Sequence, residues 1–142
     1  MANRHAAPAR VHPVPTAEKN GSKGRLGQKS GLTVKTFFTK PEVHPFDEVE
    51  WELRTASIQN EKGESLFEQA NVEVPKGWSQ TATNIVASKY FHGKPDSKER
   101  ETSVKQLISR VADTIMDWGE EGGYFQTKED VQTFGAELTH IL

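Results

Sequence analysis

The sequence predicts an α+β fold, a β-hairpin or two-stranded ribbon followed by three helices, behind a disordered basic tail. Three observations carry that prediction. Val49, Trp51 and Leu53 alternate with Glu50, Glu52 and Arg54, the period-two signature of a half-buried strand. After Ser79 the apolar spacing changes to three and four, in three successive blocks. Residues 1–30 show almost no apolar periodicity and hold Arg4, Arg10, Lys19, Lys23, Arg25 and Lys29 against one acid, Glu18.

The folded part is expected to start near Leu32. Val34, Phe37 and Phe38 form a short apolar cluster, and Pro41 and Pro45 impose an extended connection. The first strand surrounds Trp51, and Asn60-Glu-Lys-Gly63 supplies the turn, with Gly63 suited to positive φ. A second strand runs from about Ser65 to Val74, with an interruption near Gln69-Ala70. Two strands alone are marginal in water, so the ribbon must pack on something else. In the first helix Ser79 is the N-cap, and Ala82, Ile85, Val86 and Tyr90 share a face until Gly93 and Pro95 end it. The second keeps Val104, Leu107, Ile108, Val111, Ala112, Ile115 and Trp118 on one stripe, capped by Thr102 or Ser103 and closed by Gly119. The third opens on Thr127-Lys-Glu-Asp130, a capping box with Asp in place of Glu, and aligns Val131, Phe134, Leu138 and Ile141. It runs to His140-Ile141-Leu142 with no C-cap residue and two apolar residues last, so the polypeptide is expected to continue.

Composition narrows the function classes. The net charge of −2 conceals an asymmetry: residues 1–30 carry +5, which leaves −7 for residues 31–142. An acidic body does not look like a nucleic-acid surface, which needs clustered Lys and Arg. There is no cysteine, so disulfides, thiolate metal sites and thiol catalysis are excluded within these 142 residues. No apolar run has the length of a signal peptide core or a membrane span, and a cytoplasmic protein is expected.

Candidate chemistry is sparse. Gly24-Arg-Leu-Gly27-Gln-Lys29-Ser30 fails the phosphate-loop spacing and follows no strand, and Asn20-Gly-Ser22 reads as a turn. His5, His12, His44, His92 and His140 belong to separate segments and lack metal-ligand spacing. Glu48, Glu50 and Glu52 read as the solvent face of a strand, and Glu120 and Glu121 adjoin Gly122-Gly123 without a low-dielectric pocket. Trp51, Trp78 and Trp118 are expected in the core. Ser79, Thr81 and Thr83 lie in a first helical turn that can hold a phosphate, although capping explains Ser79 equally well. No catalytic, cofactor-binding, substrate-binding or metal-binding residue is assigned.

Three blocks nevertheless carry a family resemblance. Leu32-Thr-Val-Lys-Thr-Phe-Phe-Thr-Lys-Pro-Glu-Val-His-Pro-Phe-Asp-Glu-Val-Glu-Trp-Glu-Leu-Arg54, Val72–Phe91 and Arg100–Ile115 resemble, in that order, the N-terminal region of bacterial class II, adenosylcobalamin (vitamin B12)-dependent ribonucleotide reductases. The resemblance covers residues 32–142. It implies a ribonucleotide substrate, a cobalt–carbon bond that splits homolytically, a cysteine thiyl radical that abstracts the ribose 3′-hydrogen, and a reducing cysteine pair. It also implies that these helices are the leading part of a ten-stranded α/β-barrel reductase and partner the rest of that barrel. The family's cysteines, phosphate loops and cobalamin contacts have no matching positions here, so this piece alone is expected to be inactive and not to bind cobalamin. The alternative is an independent small protein-interaction module, related to the reductase N-terminus and acting in trans.

Overall fold

The computed structural model describes residues 31–142. Apart from Gly31, the tail expected over 1–31 lies outside the described residues, and so do His5, His12, Asn20-Gly-Ser22 and the Gly24–Ser30 segment. The described residues form a two-stranded antiparallel sheet and three α-helices. A short 3-10 helix at Pro45–Glu48 stands in place of the expected extended connection, because Pro45 at its first position fixes a helical φ and His44 caps it.

Strands β1 (Trp51–Gln59) and β2 (Ser65–Pro75) pair from Trp51 opposite Pro75 to Gln59 opposite Ser65. At the turn the Asn60 side chain accepts the amides of Lys62 and Glu64 at 2.9 Å each, and Gly63 takes φ +80° as expected. Arg54 faces Val72 but Ala56 faces Gln69, so Ala70 and Asn71 together stand opposite Thr55. This bulge, with Asn71 at φ 56°, is the interruption that the sequence shows near Gln69-Ala70.

Trp51 packs against the core as expected, but past it the inward face of β1 is the opposite of the expected one. Leu53 is 64% exposed and Val49 is exposed, whereas Ala56, Val72 and Val74 are fully buried. The inner face carries Arg54 because its guanidinium satisfies backbone carbonyls there, donating to Lys76 O at 2.8 Å and Trp78 O at 2.6 Å. Glu48 and Glu50 lie before the strand, so the three glutamates do not line one solvent face. They reach different cations, Lys40, Lys76 and Arg54.

Helix α1 (Gln80–Lys89) begins where Ser79 Oγ accepts Ala82 N at 3.1 Å. Its buried residues are Thr83 and Ala87, while Ile85 and Tyr90 are exposed. The small side chains let the helix approach the ribbon, and the Thr83 hydroxyl is satisfied by Ser79 O and Arg54. Helix α2 (Val104–Glu121) is capped by Ser103 and Gln106. Gly119 does not close it. The helix runs two residues further to a C-cap at Gly122, and Gly119 instead makes room for the Phe125 ring, which a Cβ would meet at 2.4 Å. Trp118, expected in the core, is 66% exposed. Helix α3 (Lys128–Ile141) has the expected Thr127–Asp130 capping box. Val131, Phe134 and Leu138 are half-buried, but Ile141 is exposed.

Residues 31–40 form a strap along α3. Leu32 exchanges backbone hydrogen bonds with Tyr124 and Gln126 at 2.7 and 3.0 Å, and Val34 N donates to Asp130 at 2.8 Å. The expected apolar cluster is formed in part but not buried: Phe37 and Phe38 meet edge to face at 4.7 Å, while Phe37 is 83% exposed and Phe38 half-exposed. Glu137 holds this backbone in its place, accepting the amides of Phe37, Phe38 and Thr39 at 2.9–3.0 Å and the Thr39 hydroxyl at 2.6 Å. The core lies between ribbon, α1 and α2: Ala56, Val72, Val74, Ala87, Phe91 and Val104, flanked by Trp51, Phe67 and Trp78.

Candidate functional site

The residues with chemical potential are distributed as structural fasteners. His44 caps the Pro45–Glu48 3-10 turn, its Nδ1 accepting Phe46 N at 3.2 Å. His140 stacks on Phe38 with ring centroids 5.5 Å apart, and its Nδ1 stands 3.8 Å from Glu48. His92 is exposed, contributing its backbone amide to Glu101. Among the described residues no group of three or more His, Cys, Asp or Glu side chains is placed to hold a metal. Ser79 and Thr83 spend their hydroxyls on α1 itself, and Thr81 is exposed beside them. Glu120 and Glu121 are both exposed. Trp51 and Trp78 pack against the core, with Trp51 Nε1 donating to Phe46 O at 2.7 Å and Lys105 standing over its ring at 4.5 Å.

The important polar side chains are ones that sequence reasoning missed. Arg100 donates to Ala87 O at 2.5 Å, to Phe91 O and Gly93 O at 2.8 Å each, and to Gln69 at 3.0 Å. It therefore ties the end of α1 to the bulged part of β2. Next to it, burial opposes ionisation of Glu101, but hydrogen bonds from Arg110 and the His92 amide outweigh burial and hold its carboxyl below the usual range. Glu73 is likewise depressed, first by the Ser103 hydroxyl and then by Lys105, so α2 is fastened to β2 at its first turn. Glu137 is lowered to about 2 by the Thr39 hydroxyl and the strap amides, and Asp130 is lowered by Thr127 and Val34 N. A usable signal was present for Arg100: an arginine in the loop that follows the Gly93-Pro95 stop, five residues after Pro95, near where free helix carbonyls must end up.

Two adjoining concavities are largely apolar. One groove of about 400 Å³ lies between α1 and α2, walled by Trp78, Val86 and Tyr90 on one side and Val104, Leu107, Ile108 and Val111 on the other. A neighbouring groove of about 460 Å³ runs on between the first strand's approach and the end of α3, past Phe46, Val49 and Trp51. The two share Trp78, Val104, Ile108 and Leu142, and so form one continuous trough. A second kind of concavity, of about 490 Å³, lies between the 36–45 segment and α3 and is lined by Thr36, Lys40, Glu42, Glu129 and other polar groups. Chemically, the apolar trough can bury another apolar surface. Its half between α1 and α2 is lined by no carboxylate, imidazole or amine. The half beside α3 also carries Glu48 and His140, whose carboxylate and Nδ1 stand 3.8 Å apart.

Comparison with known proteins agrees with the sequence resemblance. Residues 52–142 match a family described as class II vitamin B12-dependent ribonucleotide reductase. The chain is 46% identical, over 92% of its length, to a vitamin B12-dependent ribonucleotide reductase of Rhodopirellula baltica, and 43% identical over 89% to one of Streptomyces coelicolor. A reductase of the same description from Agrobacterium fabrum is 31% identical over 78% of the chain. The chain spans only 13% of the first two relatives and 11% of the third.

Proposed function

Because the chain belongs to the class II vitamin B12-dependent ribonucleotide reductases, as part of their N-terminal region, we propose that it is a structural portion of such an enzyme and is inactive alone. The observation that carries this reading is the pairing of strong identity over nearly the whole chain with coverage of about an eighth of the relative. The complete enzyme, in this reading, reduces ribonucleotides to deoxyribonucleotides in the cytoplasm by thiyl-radical chemistry with adenosylcobalamin. The chain contains no cysteine, so neither a thiyl radical nor a reducing pair can arise within it. Residues 1–31 serve as a basic tail and residues 32–142 as the domain that leads into, and packs against, a ten-stranded α/β barrel.

The side chains described here do not fit a corrinoid. Pockets of roughly 300–1,000 Å³ take drug-sized ligands, and a corrin with its nucleotide arm is larger than these. The grooves here are of about 400–490 Å³ each, and even the two that join into one trough are open to solvent. Among the described residues, His44 is committed to a cap, His140 to a ring stack, and His92 stands apart, so none of these three converges on a metal position. No step of the cobalamin chemistry is therefore routed through this chain. Its contribution is to hold its part of the reductase in shape. Titrating adenosylcobalamin into the purified chain, with the corrin absorbance as readout, tests this. No spectral change is expected, and saturable binding overturns the structural reading.

A further inference from the structure

We propose that the apolar trough between α1, α2 and the end of α3 is the seat of the reductase polypeptide that these 142 residues lack. The inference rests on the family reading above and adds to it the face and the residues through which the two parts join. Trp78, Tyr90, Leu107, Ile108 and Leu142 line the trough, whose half between α1 and α2 carries only the indole nitrogen and the phenol oxygen as polar side-chain atoms; Glu48, Thr139 and His140 stand at the far end beside α3. Tyr90 is 61% and Leu142 54% exposed, so a large apolar area faces solvent along a single line. Such contiguous area marks an interaction face.

The identity of the occupant follows from three features. About seven-eighths of each long relative has no counterpart in this chain, so a large covalent or subunit neighbour exists for the domain to pack on. Leu142 lines both halves of the trough, so any residue following it begins at the trough's rim. The half between α1 and α2 has no charged lining residue. Permanent interfaces resemble a domain core cut in two, whereas transient ones keep a more polar character.

The test uses the complete reductase, with its remaining part on the same or a separate chain. A photo-cross-linking phenylalanine analogue replaces Tyr90, whose exposure keeps it out of the domain core. Irradiation followed by peptide mapping is expected to join position 90 to reductase peptides outside residues 1–142. In a second variant, Tyr90→Glu, a charge enters the seat. Hydrogen exchange over Val104–Val111 should then accelerate about tenfold or more, the equivalent of about 1.4 kcal/mol, while Val72–Val74 keeps its protection. Adducts confined to residues 1–142, adducts to a second copy of this domain, or unchanged exchange over Val104–Val111 overturn the proposal. Cobalamin-dependent ribonucleotide reduction by the unsubstituted complete protein is scored separately. Its absence defeats the family-level reading, whereas an active enzyme without the expected adducts defeats only the seat.

Discussion

Replacing Arg100 is the sharpest probe of how this domain holds together. Its guanidinium reaches three carbonyls, Ala87 O, Phe91 O and Gly93 O, at 2.5–2.8 Å, and Gln69 at 3.0 Å. It also lies 5.8 Å from the ring centroids of both Phe67 and Phe91. A hydrogen bond from a charged donor contributes about 1.5–3 kcal/mol and a partly exposed cation–π contact about 0.5–1 kcal/mol. These terms do not add, because water reaches some of the freed carbonyls in the variant. A net loss of about 2–3 kcal/mol for Arg100→Ala is the expected result, from the carbonyls that stay unpaired. Arg100→Lys keeps the charge but not the planar fork that spans carbonyls on both sides of the loop, and should recover less than half of that loss. The assay is native-state hydrogen exchange at Phe91 and Glu101, whose amides donate to Val86 O and His92 O across the segment that Arg100 pins. A loss of 2–3 kcal/mol corresponds to roughly thirty- to a hundred-and-fiftyfold faster exchange through local opening. Exchange in Arg100→Lys within about twofold of the unsubstituted protein would refute the reasoning, since charge alone would then suffice.

Three further outcomes follow from the same geometry. Glu137 has a folded-state pKa of about 2 against an ordinary 4.5, so its contribution is fully present above pH 4.5 and is lost as pH falls from there toward 2; exchange at Phe37–Thr39, corrected for intrinsic rate, should accelerate across that window, and Glu137→Gln should abolish the pH dependence. Leu53→Thr should change stability by no more than about 0.5 kcal/mol, because Leu53 is exposed, whereas Val72→Ala should cost about 2–3 kcal/mol from a fully buried position; urea denaturation followed by tryptophan fluorescence measures both, and a larger loss for Leu53 would contradict the observed strand face. Gly119→Ala gains helix propensity of about 1 kcal/mol but sets a Cβ 2.4 Å from the Phe125 ring, so thermal unfolding should show net destabilisation by roughly 1–2 kcal/mol.

The element order, the three helix starts and the hairpin turn were all legible in the sequence, because caps and turns are local chemistry. Ser79, Ser103 and Thr127 each bond an amide within three residues, and Gly63 needs only its own φ. What sequence could not supply were the faces. The alternation around Trp51 is equally compatible with either side of the ribbon, and the choice fell to Arg54, whose partners lie at Lys76 and Trp78. Gly119 looks like a helix stop until Phe125 is seen against it. Trp118, Tyr90, Ile85 and Ile141 belong to apolar patterns yet lie exposed, because an apolar pattern says that a surface is to be buried and not by which chain. Glu137 was silent because its partners are mostly backbone amides, which every sequence contains.

The family itself was readable from Leu32–Arg54, Val72–Phe91 and Arg100–Ile115, and residues 52–142 match it. The division of labour between this domain and the rest of a reductase is the central claim. It is tested most directly by assaying ribonucleotide reduction with adenosylcobalamin and a dithiol, for residues 1–142 alone and for the complete reductase under identical conditions. The account predicts deoxyribonucleotide product from the complete protein and none above background from residues 1–142. Cobalamin-dependent product formed by residues 1–142 alone would contradict it.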